Sequence, residues 1–303
     1  MNQPTGRAVL VLGATPEAER ASRVLEGLGH RVIPLQPDDL LGLEGQVGGF
    51  RARAQGQPQT LAADAVVVAI GNERADGGAP EIPRGSRALT ASQLRRQLEE
   101  RPITGAALPY RQARYLLLLE PDGQPQKEPA VEMLHLARDL RARWRCEVTV
   151  LYRELLVDTM PLERLTRELR QQGVVFSRTD ALRMALDDQG VTVSAAEGPL
   201  RGDYIVMAEA ARPPAEAPAL AARLQVRLGA DGYFQDVNIR PLRAGWSNRK
   251  GVFFAGRCHL EGDLATALAD AEQVAAQVDA LLRAGPQPEP TRAEVDRYRC
   301  IRC

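Results

Sequence analysis

This sequence has few cysteines, few lysines and no net charge, and each of these features excludes some classes of protein. Four cysteines in 303 residues are too few and too unevenly spaced for the disulfide framework of a small secreted protein. Lys127 and Lys250 are the only lysines, and 39 basic residues are balanced by 39 acidic ones. A chain without net charge has no field to attract nucleic acid, so nucleic acid is not an expected partner.

Long apolar runs and clustered histidines are lacking as well. No apolar run reaches the roughly 20 residues of a membrane-spanning helix, and residues 1–7 do not lead into a signal peptide. We therefore expect a cytoplasmic protein without a membrane span. His30, His135 and His259 are far apart and have no metal-site spacing, and no Ser/His/Asp or Cys/His set supports hydrolysis.

The order of apolar segments predicts an α/β fold in two domains. A chain of 303 residues is long enough for two cores of ordinary size. A strand–helix–strand pattern opens the chain and is repeated after residue 112, and such βαβ units form parallel sheets. The predicted elements are strand Ala8–Leu12, helix Pro16–Leu28 and strand Arg31–Leu35, then strand Tyr115–Leu119, helix Ala130–Trp144 and strand Glu147–Tyr152.

Further segments complete the two predicted domains. Residues 63–70 (ADAVVVAI) form a buried strand of the first sheet, and residues 37–60, rich in Gly, Gln and Pro, are expected to be irregular. Thr90 can cap a helix over Ala91–Glu100, and residues 102–111 are expected to be a crossover linker. Near the end, residues 251–255 (GVFFA) form a short strand before a helix over Leu264–Leu282.

The first strand–helix turn carries most of a dinucleotide-binding fingerprint. Residues 13–18 (GATPEA) lie on G-x-G-x-x-G/A, with Gly13 and Ala18 in place and Thr15 where a second glycine normally lets a pyrophosphate approach. Gln36 stands where an acidic residue would bind the ribose. The same residues also make an ordinary helix start, with Thr15 as N-cap and proline at the first helical position. Both interpretations remain open at this stage.

Three later glycine sites follow the order found in flavoproteins with two dinucleotide-binding domains. They are the pair Gly48-Gly49, Gly71 after a buried strand, and Gly256 before the last long helix, whose N-terminus would face the cofactor. A plain loop glycine pair explains Gly48-Gly49 equally well. Cys258 follows the last of these strands, where it either lies near a flavin or packs as a small buried residue.

Four segments, in the same order along the chain, resemble the A subunit of heterodisulfide reductases. They are Arg87–Glu99 (RALTASQLRRQLE), Cys146–Tyr152 with Gly173–Phe176, Asp231–Val237 with Ile239–Leu242 (DGYFQDV, IRPL), and GVFFAGRC before a helix rich in small residues. The resemblance implies a glutathione-reductase-like fold of two Rossmann-like dinucleotide-binding-type domains, the second inserted into the first. It also implies FAD, [4Fe–4S] clusters, and electron transfer to partner subunits that are heterodisulfide reductase B/C-like, or of hydrogenase or ferredoxin type.

On this resemblance, residues 1–112 and 230–284 form a discontinuous FAD-binding-type domain and residues 113–229 the second domain. Residues 285–303 are a linker and the start of a ferredoxin-type module, since C-x-x-C at the end matches the first half of a cluster motif. We expect that module to be cut off after two of four ligands. The implied cofactor-binding residues are Gly13, Ala14, Thr15, Gln36, Gly48, Gly49, Gly71, Gly256, Arg257 and Cys258, and the implied metal ligands are Cys300 and Cys303.

Alternatives to this interpretation come from the same residues. Cys300 and Cys303 alone are equally compatible with a zinc half-site, a redox thiol pair or two tail cysteines. Residues 207–211 lack the glycine that would end a second nucleotide-binding strand, so an NAD site in the second domain is not expected. With Thr15 and Gln36 in the fingerprint, the second hypothesis is a non-catalytic scaffold subunit of a redox complex that has lost flavin binding.

Overall fold

A computed structural model describes residues 6–75, 87–99, 112–121, 123, 125–179, 183–195, 198–237 and 244–285. The predicted crossover linker over residues 102–111 and the predicted start of a ferredoxin-type module after residue 285 lie outside these ranges. The described residues form two compact units. The first comprises residues 6–70, 216–259 and 268–285, and the second comprises residues 71–215 and 260–267. None of the described helices is both long and apolar enough to cross a membrane.

Helices and strands alternate along much of the described chain. The described helices are α1 (Pro16–Gly27), α2 (Ala91–Glu99), α3 (Lys127–Trp144), α4 (Met160–Gln171), α5 (Ala217–Leu224) and α6 (Leu264–Arg283). The described strands are β1 (Ala8–Leu12), β2 (Arg31–Leu35), β3 (Leu40–Glu44), β4 (Phe50–Ala54), β5 (Leu61–Ala63), β6 (Ala65–Val68), β7 (Glu73–Ala75), β8 (Ala88–Thr90), β9 (Arg114–Leu118), β10 (Glu147–Tyr152), β11 (Val175–Arg178), β12 (Arg183–Asp187), β13 (Gly190–Ala195), β14 (Gly198–Gly202), β15 (Tyr204–Met207), β16 (Ala210–Arg212) and β17 (Val252–Phe254).

The first unit is built on a parallel sheet with strand order β17-β6-β1-β2. Successive side chains of a strand point to opposite faces, so an all-apolar strand such as β1 supplies two cores. Leu10 and Leu12 pack with β3, β4 and α5 on one face, whereas Val9 and Val11 pack with α1 and α6 on the other. The predicted parallel sheet, including the strand within residues 63–70, is confirmed.

The segment over residues 37–60 is more regular than its composition indicates. We expected an irregular loop, but β3 and β4 form an antiparallel pair there, and β5 adds to β4. In β4, Phe50 and Ala52 are buried while Arg51 and Arg53 are exposed. This alternation with a period of two is the signature of a half-buried strand, and the surrounding Gly and Gln residues obscured it.

The second unit has a five-stranded parallel sheet with strand order β11-β10-β9-β15-β8. Helices α2, α3 and α4 contribute to the core on one face, and the antiparallel β12-β13-β14 sheet covers the other. Strand β8 pairs with β15 through Ala88 opposite Ile205. The predicted first domain, residues 1–112, therefore differs from the structure, because β8 and α2 belong to the second unit. The sequence of a three-residue strand does not indicate which strand it pairs with.

Candidate dinucleotide site

The turn between β1 and α1 is closed tightly against the end of β6. Gly13 has a φ of +123°, and a Cβ atom there would lie 2.2 Å from the carbonyl oxygen of Ala69. Thr15 is the N-cap of α1, since its hydroxyl accepts from the Ala18 N–H at 3.2 Å and donates to the Ala69 oxygen at 2.8 Å. Glycine is thus required at position 13, and the Thr15 side chain has the capping role.

A groove of about 640 Å³ begins at this turn and follows α1 and the end of β2. Its volume is in the range of small-molecule sites, and it lies at the carboxyl ends of parallel strands, where nucleotides bind in such sheets. Three of the predicted cofactor-binding residues come together here. The lining includes Gly13, Ala14, Ser22, Pro34, Leu35 and Gln36.

Glu17, in the first turn of α1, was not predicted as a site residue. Its side chain has no solvent exposure, and its Oε1 accepts from Nε of Arg257 at 2.6 Å. No described residue makes a hydrogen bond of good geometry with its Oε2. Burial raises the pKa of Glu17, but the Arg257 guanidinium, the Glu17 N–H and the Thr15 hydroxyl together bring the pKa below its ordinary value. Glu17 is therefore a buried carboxylate.

The turn after β17 faces Glu17 and is organised by a buried histidine. Gly256 has a φ of +73°, its N–H donates to Asp270 Oδ2 at 2.7 Å, and an added Cβ would lie 2.4 Å from Glu17 Cγ. His259 lies between two carboxylates, 3.0 Å from Asp270 Oδ2 and 3.1 Å from Asp236 Oδ1. Burial lowers the pKa of His259, but these two carboxylates outweigh it and raise the pKa to about 9. A protonated His259 thus holds the Gly256 turn.

Arg257 and Cys258, both predicted to bind cofactor, have other contacts in the structure. Arg257 is paired with Glu17. Cys258 is fully buried, its Sγ lies 3.4 Å from the carbonyl oxygens of Val68 and Ala255, and burial raises its pKa to about 12. Cys258 is therefore a packed core residue and not a reactive thiolate.

Gly48 and Gly49 lie away from this groove, and their contact with the cofactor stays a prediction. The Gly48 N–H donates to the carbonyl oxygen of Asp64, the residue before β6, at 2.7 Å. Because β3 begins near the end of β2 and runs back, the turn containing this pair lies at the amino edge of the sheet. The groove lies at the opposite, carboxyl edge.

The remaining predicted residues are not part of the groove. Gly71, with a φ of +70°, is grouped with the second unit. Cys300 and Cys303 lie outside the described residues, so their role as metal ligands stays a prediction. Within the described ranges, no group of three His, Cys, Asp or Glu side chains has the geometry of a metal site.

The corresponding edge of the second unit has a different arrangement. After β9, the nearly buried Glu120 accepts hydrogen bonds from the backbone N–H groups of Arg153 and Glu154, at 2.9 and 3.1 Å. Burial raises the pKa of Glu120 in spite of these donors. The carboxylate ties the end of β9 to the loop after β10, at the place where a nucleotide would bind a Rossmann-like unit.

Comparisons with known proteins agree on the fold. No protein-family model and no curated protein matches the sequence. Among solved structures, thioredoxin reductase from T. acidophilum is similar over 91% of this chain and 99% of its own, at 14% identity and a TM-score of 0.56. A mutant of the flavoprotein disulfide reductase RclA from Escherichia coli is similar over 91% and 71%, at 12% identity and a TM-score of 0.54.

A third solved structure, an NAD-dependent persulfide reductase from A. fulgidus, is similar over 92% of this chain and 60% of its own, at 15% identity and a TM-score of 0.51. Identities this low establish the fold alone. The chain has the two-domain α/β fold of thioredoxin and glutathione reductases, which confirms the predicted fold class.

This fold implies an FAD site in the first unit, and the residues present fit one in part. The Gly13 turn and the groove beside Gln36 have the shape that the adenosine half of a dinucleotide needs. The pyrophosphate would lie at the N-terminus of α1, near the backbone of Ala14 and Thr15. That position is next to Glu17, a carboxylate with the same sign of charge. A dinucleotide bound at this turn would therefore lie beside a buried anion of the protein.

Proposed function

We propose that this chain is the flavoprotein-type subunit of an oxidoreductase, with FAD bound along the first unit and electrons passed on to partner subunits. The observation that carries the proposal is the Gly13 turn, packed against Ala69 at the carboxyl edge of the first sheet, with a groove of about 640 Å³ beside it. A side chain at position 13 has no room, which is the requirement that a dinucleotide fold places on its first glycine.

The chain's own residues would bind and orient the cofactor. The backbone of Gly13 and Ala14 lies open to the groove, and the Gln36 amide can hydrogen-bond a ribose hydroxyl without the charge of the usual acid. Bound FAD supplies the redox chemistry, because it accepts and donates electrons singly or in pairs. We assign no catalytic side chain.

The described cysteines favour electron transfer over thiol–disulfide chemistry. Disulfide exchange needs an accessible thiolate. Cys146 and Cys258 are both fully buried, and burial raises the pKa values of their thiols to about 11 and about 12. Neither can therefore act as an exchanging thiol in the folded protein. This supports a flavin that passes electrons onward, as the resemblance to the heterodisulfide reductase family implies.

The finer assignments are part of the same proposal. A [4Fe–4S] cluster would use Cys300 and Cys303 among its ligands, and the partners would be heterodisulfide reductase B/C-like or of hydrogenase or ferredoxin type, in the cytoplasm. Iron and acid-labile sulfide quantified in the purified protein test the cluster. About four of each per chain is the expected result, and a value near zero would contradict the cluster.

The test of the flavin is an absorbance spectrum of the protein purified and then incubated with excess FAD, followed by acid release of the bound cofactor. We expect the two absorbance bands of oxidised flavin and, at saturating FAD, close to one bound FAD per chain. A colourless protein that releases no FAD under these conditions would contradict the proposal.

One observation favours a second candidate function, a scaffold subunit without flavin. The Glu17–Arg257 pair lies beside the diphosphate position, so the Arg257 guanidinium has its counter-charge without any dinucleotide. Such a subunit would assemble with its partners equally well in FAD-free medium. Copurification of partner subunits with a chain stripped of FAD, at unchanged stoichiometry and stability, would favour this function over the first.

A further inference from the structure

We infer that Glu17 is a built-in occupant of the diphosphate position, so that its carboxylate must leave the first turn of α1 before a dinucleotide can bind there. This inference rests on the proposed flavin site and concerns its regulation. It predicts a protein that is made with the site closed and that loads cofactor only weakly.

The position of Glu17 in the helix is the first argument. The first turn of an α-helix has unpaired N–H groups and a partial positive charge, which is why the phosphates of dinucleotides bind there. In α1 the Ala18 N–H is taken by the Thr15 hydroxyl, and Pro16 has no N–H. An anion at this turn therefore has only the other backbone N–H groups of the turn as hydrogen-bond donors. Glu17 is itself a residue of this turn.

The state of the Glu17 carboxylate is the second argument. An ionised carboxylate in a fully buried place is costly unless each oxygen has a partner. Oε1 is paired with Arg257, and the Glu17 N–H in the first turn of α1 and the Thr15 hydroxyl also favour the ionised form, so the pKa of Glu17 lies below its ordinary value although the side chain has no exposure to solvent. Glu17 is therefore held as an anion by the same kind of groups, a guanidinium and a helix N-terminus, that bind a phosphate.

The packing against Gly256 is the third argument. A Cβ at Gly256 would lie 2.4 Å from Cγ and 2.9 Å from Cβ of Glu17, so the turn that ends β17 is shaped around the Glu17 side chain. Asp270 and the buried His259 hold that turn in place. When Glu17 turns outward, it leaves a volume beside Gly256 and removes its carboxylate from Arg257. A diphosphate can fill that volume and replace that charge.

The experiment measures FAD affinity of the full chain by flavin fluorescence, with no turnover involved. Glu17→Ala removes the occupant, and Glu17→Gln keeps its volume but removes the charge. Glu163→Ala is the matched control, since Glu163 is an exposed acid in the first turn of α4, in the second unit. Thermal unfolding of each variant without FAD shows that it is folded. In the Glu17→Ala background, Arg257→Gln then tests whether Arg257 binds the diphosphate.

We expect the FAD dissociation constant to fall at least tenfold in Glu17→Ala and at least threefold in Glu17→Gln, with less than a twofold change in Glu163→Ala. Arg257→Gln should reverse part of the gain. If Glu17→Ala does not fold, the result for Glu17→Gln decides. Wild type and both Glu17 variants binding FAD with equal affinity would overturn this inference and leave the flavin function standing. No binding by any variant would overturn both.

Discussion

The two Rossmann-like units begin with the same strand and helix but connect them in different ways. In the first unit, three residues join β1 to α1, and Gly13 folds the turn onto Ala69. In the second unit, eight residues join β9 to α3, and Glu120 binds the backbone of the next strand's loop. Both units have a buried glutamate near this turn. Among the described residues of the two turns, Gly13 of the first is packed against backbone as a dinucleotide fold requires, whereas Gly123 of the second meets a flexible side chain.

The difference teaches which contacts of a nucleotide fold are kept for stability and which for binding. The Glu120 carboxylate accepts from two backbone N–H groups of its own unit, so it stabilises the loop at the edge of the sheet where a nucleotide would bind a Rossmann-like unit. Glu17 is paired with a side chain, Arg257, which can rotate away, whereas Glu120 is bound to fixed backbone groups. We therefore expect the first site to open and the second to stay closed.

The largest expected effect comes from replacing a glycine of the strand–helix turn by alanine, at Gly13 in the first unit and at Gly123 in the second. Gly13→Ala places a Cβ 2.2 Å from backbone at a φ of +123°, and should lower the free energy of unfolding by about 3 kcal/mol or more. Gly123→Ala meets only the flexible end of Arg153 and should cost about 1–2 kcal/mol. Urea denaturation measures both.

Gly29→Ala is the matched control in the first unit, because it has a φ of +89° and open space around the added Cβ. It should cost about 1 kcal/mol, the strain of the backbone alone. If Gly13→Ala were no more harmful than Gly29→Ala, the tight closure of the first turn would be refuted.

The pH dependence of stability should differ between the two units, because the first unit contains the buried, charged His259. Its pKa in the folded protein, about 9, lies above the ordinary value of 6.5. Its contribution is therefore complete below about pH 6.5 and is lost as the pH rises through 9, by on the order of 3 kcal/mol. Hydrogen exchange near Gly256, measured at about pH 6.5 and about pH 9, should show this loss.

The control is His259→Gln, which should be less stable at the lower pH and should lose the dependence on pH across this range. Exchange in β10 of the second unit provides a reference for global effects of pH. A wild-type protein whose Gly256 region is equally protected at both pH values would contradict the assigned charge of His259.

Removing the Glu120 carboxylate tests its stabilising role in the second unit. Glu120→Ala leaves the N–H groups of Arg153 and Glu154 without their acceptor and should cost about 2 kcal/mol. Glu154→Ala, at an exposed neighbouring acid, should stay within about 0.5 kcal/mol of the wild type. Equal unfolding midpoints of the two variants in urea would show that Glu120 has no such role.

The smallest expected effect concerns the cap of α1. Thr15→Gly removes a hydroxyl that accepts from Ala18 and donates to Ala69, and should cost about 1 kcal/mol. Thr15→Ser keeps the hydroxyl and should be nearly neutral. Thermal unfolding of both variants distinguishes them, and a Thr15→Gly protein as stable as Thr15→Ser would show that the cap contributes nothing.

Much of the fold follows from local sequence, because the strands of the two parallel sheets are short apolar runs between helices with clear caps. Strands Ala8–Leu12, Arg31–Leu35 and Glu147–Tyr152 have the bounds that the sequence predicts. Neither strand β8 nor helix α5 was predicted, because a three-residue strand and an Ala-rich stretch carry little periodicity. Their residues were also placed in the other domain of the predicted pair. Their places depend on partners more than 100 residues away.

The site could be predicted only in part. The fingerprint identified Gly13, Ala14 and Gln36 because its glycines have fixed backbone requirements. Glu17 was missed, although it lies four residues before the buried Ala21 and eight before Leu25, so the helical period already placed it on the buried face of α1. His259 gave no such signal, because its carboxylate partners Asp236 and Asp270 are brought together only by folding.

The most direct test is an equilibrium titration of the full-length chain with FAD and, separately, with NAD⁺, each followed by ligand fluorescence or calorimetry. We predict saturable FAD binding at one site per chain and no measurable NAD⁺ binding, since the tight glycine turn found among the described residues lies in the first unit. NAD⁺ binding with equal or higher affinity, or no FAD binding at millimolar concentration, would contradict the assignment of the first unit as a flavin site.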